Sequence, residues 1–193
     1  MSLSLITPPA ERILTLAEAK QHLRVDLADE DALIQTYIDA VDAHLDGPAG
    51  VLGRALVTQT WDVTLPCFPA ADDALRLPLP PLQSVVSIGY TDGAGAPQTL
   101  AAWQTYFRHD IGYLRPAFGA AWPATQAIEN AVIIRITAGY GGAAAVPAPI
   151  RAAAMLLLGS AARTREGEII GATVAANPAV ERLLAPYRLA EFG

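Results

Sequence analysis

Residues that could bind a metal are few and widely spaced in this sequence. The three histidines, His22, His44 and His109, are never three or four positions apart, the spacing that places two ligands on one face of a helix. Cys67 is the single cysteine, so the chain can form neither an internal disulfide nor a cysteine cluster for zinc. The acidic run DLADED at 26–31 lacks the glycine and the closing glutamate of a calcium-binding loop. The sequence therefore predicts no metal site and no cofactor.

Motifs for phosphate binding and for nucleophilic catalysis are missing as well. The run GYGG at 139–142 has the wrong glycine spacing for a dinucleotide-binding turn, and prolines follow where free N–H groups would be needed. Ser160 lacks the flanking glycines of a nucleophile elbow. Asp72 and Asp73 are adjacent in a loop that has nothing to hold both carboxylates against one substrate. We therefore predict no catalytic residues and no enzymatic activity.

A group of aromatic residues in the middle of the chain could form a platform on which nucleic acid bases stack. Lysines that would neutralise the phosphates are not interleaved with them, so packing in a core or an interface is the favoured interpretation. The residues are Tyr106, Phe107, Tyr113, Phe118 and Trp122.

Composition indicates a folded protein with an acidic N-terminal segment. The 193 residues are 52% hydrophobic and 17% charged, with 15 glycines and 15 prolines, which is typical of a globular chain with many turns. Residues 1–50 hold nine acids and three bases, whereas the remaining residues are nearly neutral. No basic stripe is present, so tight independent binding to DNA is not expected. The first residues do not resemble a signal peptide, so we expect the chain to stay in the cytosol where it is made.

Helices are predicted at both ends of the chain. Thr15 and Glu18 have the spacing of a capping box and predict a helix to about residue 25. Asp29 is a candidate cap for a second helix, which ends at Gly47 and completes a helical hairpin. Residues 147–166 are apolar on nearly every side and predict a buried central helix that other elements or a neighbouring subunit must cover. Residues 178–184 predict a short final helix.

Strands are predicted between the helices, near 55–65, 75–77, 85–90, 98–100, 106–108, 112–114 and 131–137. Asp92 and Gly93 predict a hairpin turn in which the glycine supplies a positive φ. The predicted fold class is α+β: a mostly helical core with an inserted small antiparallel β unit. We expect residues 1–50 and 143–193 to form the helical core, and residues 51–142 to form the inserted β-rich subdomain.

Several runs of sequence resemble the tailed-phage head–tail connector (adaptor) family, which also occurs in prophages and gene transfer agents. LTLAEAKQHLRV at 14–25 and DEDALI at 29–34 are similar to the opening of that family. GRALVTQTW at 53–61, LPLPPLQSV at 77–85, TAGYG at 137–141 and VPAPIR at 146–151 are similar to its β-inserted branch.

The resemblance implies a structural protein of the virion that forms a homo-oligomeric ring of about a dozen copies. Such a ring docks on the portal protein, receives tail or stopper proteins on its other side, and lets DNA pass through its lumen without sequence-specific binding. The implied location is the head–tail junction, after assembly in the host bacterial cytoplasm, and no membrane is involved. In this family a C-terminal segment commonly reaches the portal, which corresponds here to residues 178–193.

We expect the contacts between subunits or with the portal to come from one face of the second helix and from the C-terminal segment. The predicted interface residues are Ile34, Ile38, Val41, Leu183, Leu184, Tyr187 and Phe192. Two other classes of protein remain open. A DNA-packaging accessory enzyme or small hydrolase would need an acidic metal cluster or a nucleotide loop, and a free-standing cytosolic binding module predicts a monomer.

Overall fold

A computed structural model describes residues 1–70, 72–163 and 177–189. The chain forms two compact units. One unit contains Met1–Ala10 and Thr58–Tyr140, and the other contains Glu11–Val57 and Gly141–Gly193. We call them the strand unit and the helix unit. The division differs from the predicted one because residues 1–10 belong with the strands, and because residues 51–57 and 141–142 belong with the helices.

The larger sheet of the strand unit has five antiparallel strands in the order β1-β2-β8-β4-β5. These strands are β1 (Ser2–Thr7), β2 (Gln59–Leu65), β4 (Leu82–Thr91), β5 (Pro97–Thr99) and β8 (Val132–Ala138). β8 pairs with both β2 and β4, as expected for the most continuously apolar strand of the sequence. The register shifts between β4 and β8 twice, which bends that side of the sheet.

Buried and more exposed side chains alternate along β2 and β8, so one face of the sheet lies in the core. Trp61 and Val63 of β2 lie opposite Ile136 and Ile134 of β8, and all four side chains are buried. The opposite face carries a bidentate ion pair between Arg135 and Asp62, with both N···O distances at 2.8 Å, together with the exposed Ile133.

The second sheet of the strand unit has three strands in the order β3-β7-β6. They are β3 (Leu75–Arg76), β6 (Trp103–Arg108) and β7 (Ile111–Pro116). Leu114 of β7 is fully buried, and a Cβ atom added to Gly112 would lie 2.2 Å from Cδ2 of Leu82. β7 therefore packs closely on β4 of the larger sheet.

The helix unit contains α1 (Leu16–Leu23), α2 (Asp31–Leu45), α3 (Ala148–Arg163) and α4 (Pro178–Leu184). Both hydrogen bonds of the predicted capping box between Thr15 and Glu18 are present at the start of α1. α2 begins at Asp31, one residue later than the predicted cap at Asp29 implies, after a 3-10 turn at Ala28–Glu30. Asn177 caps α4 through the backbone N–H of Ala179.

α3 contacts the other three helices of this unit. Its buried side chains are Ile150, Ala153, Ala154 and Leu158, while the leucines between them are only half-buried. The helix was predicted to be covered on nearly every side, and the described residues cover about one side of it. Arg151 of α3 forms an ion pair with Glu18 of α1. The backbone N–H of Thr15 is the main reason why the pKa of Glu18 lies below its ordinary value.

The α+β class and the antiparallel strands are confirmed. The prediction of a mostly helical core with a small β insert understates the strands, because strands are about as common as helices in the described residues. Residues 2–7 were assigned to the helical core and instead form β1, which pairs with β2. The hairpin turn after Asp92 is present, but the positive φ of 87° belongs to Gly95 and not to Gly93.

Candidate interface site

Side chains that could bind a metal or line a cleft are few among the described residues. No group of three or more histidine, cysteine, aspartate or glutamate side chains within the described ranges could hold a metal ion. A cleft of about 270 Å³ in the strand unit is lined by Met1, Ser2, Thr64, Pro66, Glu129 and Asn130. Glu129 is its one carboxylate, so the cleft holds no acid–base pair. None of the described helices combines the length and apolar character that crossing a bilayer requires.

The predicted interface residues of the second helix lie in the core of the helix unit. Ile34 and Ile38 are completely buried, and 5% of Val41 is exposed. Their spacing of three to four positions places them on one side of α2, as the sequence predicted. That side faces the chain's own core, so in this structure it stabilises the fold of a single subunit. A role for these residues in contacts between subunits stays a prediction.

The predicted interface residues of the C-terminal segment divide into two groups. Leu184 is buried, whereas Leu183 and Tyr187 are half-buried and retain exposed surface. Phe192 lies outside the described residues. The segment is held to the helix unit because the side-chain Nε of the buried Arg54 donates a hydrogen bond to the carbonyl oxygen of Tyr187.

Asp42 is the buried acid of the helix unit. Its Oδ2 atom accepts a hydrogen bond of 3.3 Å from the N–H of Ile13 and lies 3.9 Å from Nε of Arg12. Its Oδ1 atom is buried and has no hydrogen-bond partner among the described residues. Burial raises the pKa of Asp42 to about 6, and the Ile13 N–H and Arg12 oppose the shift. The carboxyl group is not part of the cleft in the strand unit, and its buried position makes it a determinant of the stability of the helix unit.

Three exposed arginines of the strand unit were not predicted as site residues. Arg76, Arg108 and Arg115 are exposed on the three-stranded sheet, beside Tyr106 and Tyr113. Lysines are absent from this part of the sequence, and the basic residues beside the aromatic ones are arginines. The alternation of Tyr106 with Arg108, and of Tyr113 with Arg115, was the available signal, because residues two apart in a strand share a face.

Part of the chain matches a family model. Residues 13–88 match the model described as phage gp6-like head-tail connector protein. The resemblance to the head–tail connector family is therefore confirmed. No protein with a curated function matches the chain.

Solved structures extend the similarity to nearly the whole chain. A chain of the structure titled "Neck of empty GTA particle computed with C6 symmetry" is 27% identical, with a TM-score of 0.80 over 99% of this chain and 97% of that chain. A chain of "Virion of native gene transfer agent (GTA) particle" is 26% identical, with a TM-score of 0.79 over the same shares. A third, from "Neck of native GTA particle computed with C12 symmetry", is 24% identical with a TM-score of 0.73 and shows the fold alone.

Proposed function

We propose that this chain is a structural head–tail connector and forms a ring in the neck of a tailed phage, prophage or gene transfer agent particle. The observation that carries the proposal is the match over 99% of the chain, at 27% identity, to a chain from the neck of such a particle. The family match at residues 13–88 supports the same role independently.

A ring accounts for how one small chain performs this role. The similar neck was computed with sixfold symmetry, so its chains are related by rotation about an axis. Copies related in this way meet through two different surfaces, and such heterologous contacts close into a ring when the rotation permits. The chain is accordingly a homo-oligomer in the particle.

The ring joins the portal protein on one side to tail or stopper proteins on the other, and DNA passes through its lumen. The C-terminal segment that includes α4 contacts the portal, with Leu183 and Tyr187 supplying exposed apolar surface. The net charge of −6 suits a passage that does not hold DNA, because a basic wall would bind phosphates. The particle is its final location, after assembly in the host bacterial cytoplasm.

The role requires no chemistry from the chain. The family and the similar structures are components of virions or particles, which favours a structural protein over a DNA-packaging accessory enzyme. A free-standing binding module is disfavoured because its function would not need copies arranged about an axis.

Deleting the gene from a strain that produces the particle tests the role directly. We expect DNA-filled heads and separate tails to accumulate in electron micrographs, with joined particles restored when the gene is supplied in trans. Joined particles at the frequency of the parent strain would contradict the proposal.

A further inference from the structure

One face of the three-stranded sheet gathers the strand unit's exposed arginines. Tyr106 lies opposite Tyr113 across β6 and β7, and Arg76 of β3 lies opposite the same Tyr113. Arg108 and Arg115 are two residues beyond Tyr106 and Tyr113 on their own strands. Since residues two apart in a strand, and residues directly opposite one another, share a face, all five side chains share one. We call these five residues the arginine–tyrosine face.

The two tyrosine rings of this face already contact each other and two of the arginines. Tyr106 and Tyr113 stack with their centres 5.3 Å apart and their planes 16° from parallel. The guanidinium carbon of Arg108 lies 5.4 Å from the centre of the Tyr113 ring, and that of Arg115 lies 5.3 Å from the Tyr106 ring. Cation–π contacts of this kind fix the arginines while leaving N–H donors at the edge of each guanidinium. The face is therefore suited to carboxylates or phosphates, and poorly suited to stacking of bases.

The charge of the arginine–tyrosine face is not balanced within the described part of the chain. No ion pair joins Arg76, Arg108 or Arg115 to a carboxylate among the described residues, although Arg135 of the same unit pairs with Asp62. Three exposed cations, two of them held against tyrosine rings, on a chain of net charge −6 indicate a surface that meets an acidic partner.

The chain's own acidic segment supplies a complementary surface. Most acids of residues 1–50 are used within the helix unit: Asp31 pairs with Lys20, Asp39 pairs with Arg12, and Glu11 accepts from the N–H of Ala143. Asp26 and Asp29 are exposed and form no ion pair with the described residues.

The loop that carries these two acids is held by a hydrogen bond to the helix unit. It also presents an apolar side chain between the two acids. Lys20 donates a hydrogen bond of 3.0 Å to the carbonyl oxygen of Leu27, and Leu27 is 70% exposed. We call residues 26–29 the acidic loop. An exposed leucine beside two carboxylates matches a surface made of two aromatic rings and three guanidinium groups.

We propose that the arginine–tyrosine face of one copy binds the acidic loop of the next copy around the ring. The two surfaces are different, so the contact is heterologous and can repeat from copy to copy. The proposal rests on the ring of the proposed function. Binding of the same face to DNA is disfavoured, because three cations neutralise few phosphates, whereas the acidic loop matches both the charge and the apolar part of the face.

Zero-length cross-linking tests the contact even when the association is weak. Lys20 is the only lysine of the sequence, so Arg108→Lys adds a single side-chain amine to the arginine–tyrosine face without changing the charge. A carbodiimide condenses an amine with a carboxylate that touches it, releasing water that the reagent takes up. We expect covalent dimers of Arg108→Lys, with peptides in mass spectra that link position 108 to Asp26 or Asp29.

Two variants serve as controls for the cross-linking. Arg135→Lys should link to Asp62 within one chain and yield no dimers through position 135, because this pair is already formed inside the sheet. Asp26→Asn combined with Asp29→Asn should abolish the dimers of Arg108→Lys. If those dimers do not form, or if they persist without Asp26 and Asp29, the proposed contact is wrong.

Measuring assembly separates the failure of this contact from the failure of the proposed function. We expect replacement of the three arginines by glutamine to weaken association roughly tenfold at about 0.1 M salt. If the parent chain forms rings and the triple variant forms them equally well, the contact is wrong and the ring stands. If the triple variant instead assembles normally and loses binding to a random-sequence duplex, the face is a DNA surface. If no ring forms with portal protein present while the specific cross-links do, the ring is wrong and the contact stands.

Discussion

Asp42 shows how burial and charge conflict at the scale of one residue. The carboxyl group lies in the helix unit with one oxygen bonded to the N–H of Ile13 and the other without a partner among the described residues. Its pKa of about 6 lies above the ordinary value of 3.8, because burial disfavours the charged form. The folded chain therefore binds this proton more tightly than the unfolded chain, and Asp42 lowers the free energy of unfolding as pH rises from about 4 to above 6.

Replacing Asp42 by asparagine should stabilise the protein at neutral pH. Asp42→Asn keeps an oxygen for the Ile13 N–H and removes the buried charge, so we expect a gain on the order of 1–3 kcal/mol in the free energy of unfolding at pH 7.5. The gain should be smaller at pH 5.5, where the parent residue is largely protonated and the solution is still above the isoelectric point of 4.9. Urea unfolding at the two pH values measures both quantities.

Asp39 provides the control for this prediction. It lies in the same helix and pairs with the same Arg12 at 2.9 Å, but 47% of its side chain is exposed. Asp39→Asn should change the free energy of unfolding by less than about 1 kcal/mol at either pH. A loss of stability in Asp42→Asn that is equal at both pH values would contradict this account of Asp42.

Among the contacts of individual residues, the sequence could predict those between residues that lie close together in the chain. The Thr15–Glu18 capping box is recognisable because both partners lie within one helical turn. The burial of Asp42 depends on Ile13 and Arg12, which reach it from another segment of the chain, so helical periodicity alone could not reveal it. For the same reason the apolar face of Ile34, Ile38 and Val41 could be recognised, but whether it faced the chain's own core or a neighbour could not.

At the scale of elements, the contact between the two sheets of the strand unit depends on a glycine. Gly112 of β7 faces Leu82 of β4, and a Cβ atom at position 112 would approach Cβ of Leu82 to 2.9 Å. That atom belongs to the fixed part of the leucine side chain, so it cannot move aside without a shift of the strand. Close packing of the three-stranded sheet therefore requires a residue without a side chain at this position.

We expect Gly112→Ala to destabilise the strand unit by about 1–3 kcal/mol, because the extra methyl group overpacks the contact with Leu82. The midpoint of urea unfolding measures the loss. Gly89→Ala is the matched control, since a Cβ atom at that position of β4 meets nothing closer than 3.9 Å. Equal midpoints for the two variants would show that β7 does not pack against Leu82 as described.

The elements themselves were predicted more successfully than their partners. β8 and β2 were recognised from β-branched residues and alternation, which are properties of each strand alone. β1 was missed because Ser2–Thr7 is short, lies at the edge of the sheet, and gains its structure from pairing with a strand more than fifty residues away. The separation of the strands into two sheets likewise depends on long-range pairing that no local pattern contains.

At the scale of the whole molecule, function was predicted from resemblance and not from chemistry. No single residue of the chain indicates a head–tail connector, and the runs that carry the resemblance matter through their order. The family match at residues 13–88 and the likeness of nearly the whole chain to a particle neck protein agree with the predicted head–tail connector. Contacts between copies leave only indirect signs in one sequence, such as the unbalanced charge of the arginine–tyrosine face.

The ring is the central claim, and the mass of the assembled protein tests it most directly. Light scattering across a range of concentrations, with and without portal protein, should reveal a species whose mass is a multiple of the 20.3 kDa chain. Electron micrographs of that species should show closed rings with six copies or a multiple of six, consistent with the symmetry of the similar neck. A protein that remains monomeric at every concentration, even when portal protein is added, would contradict the account.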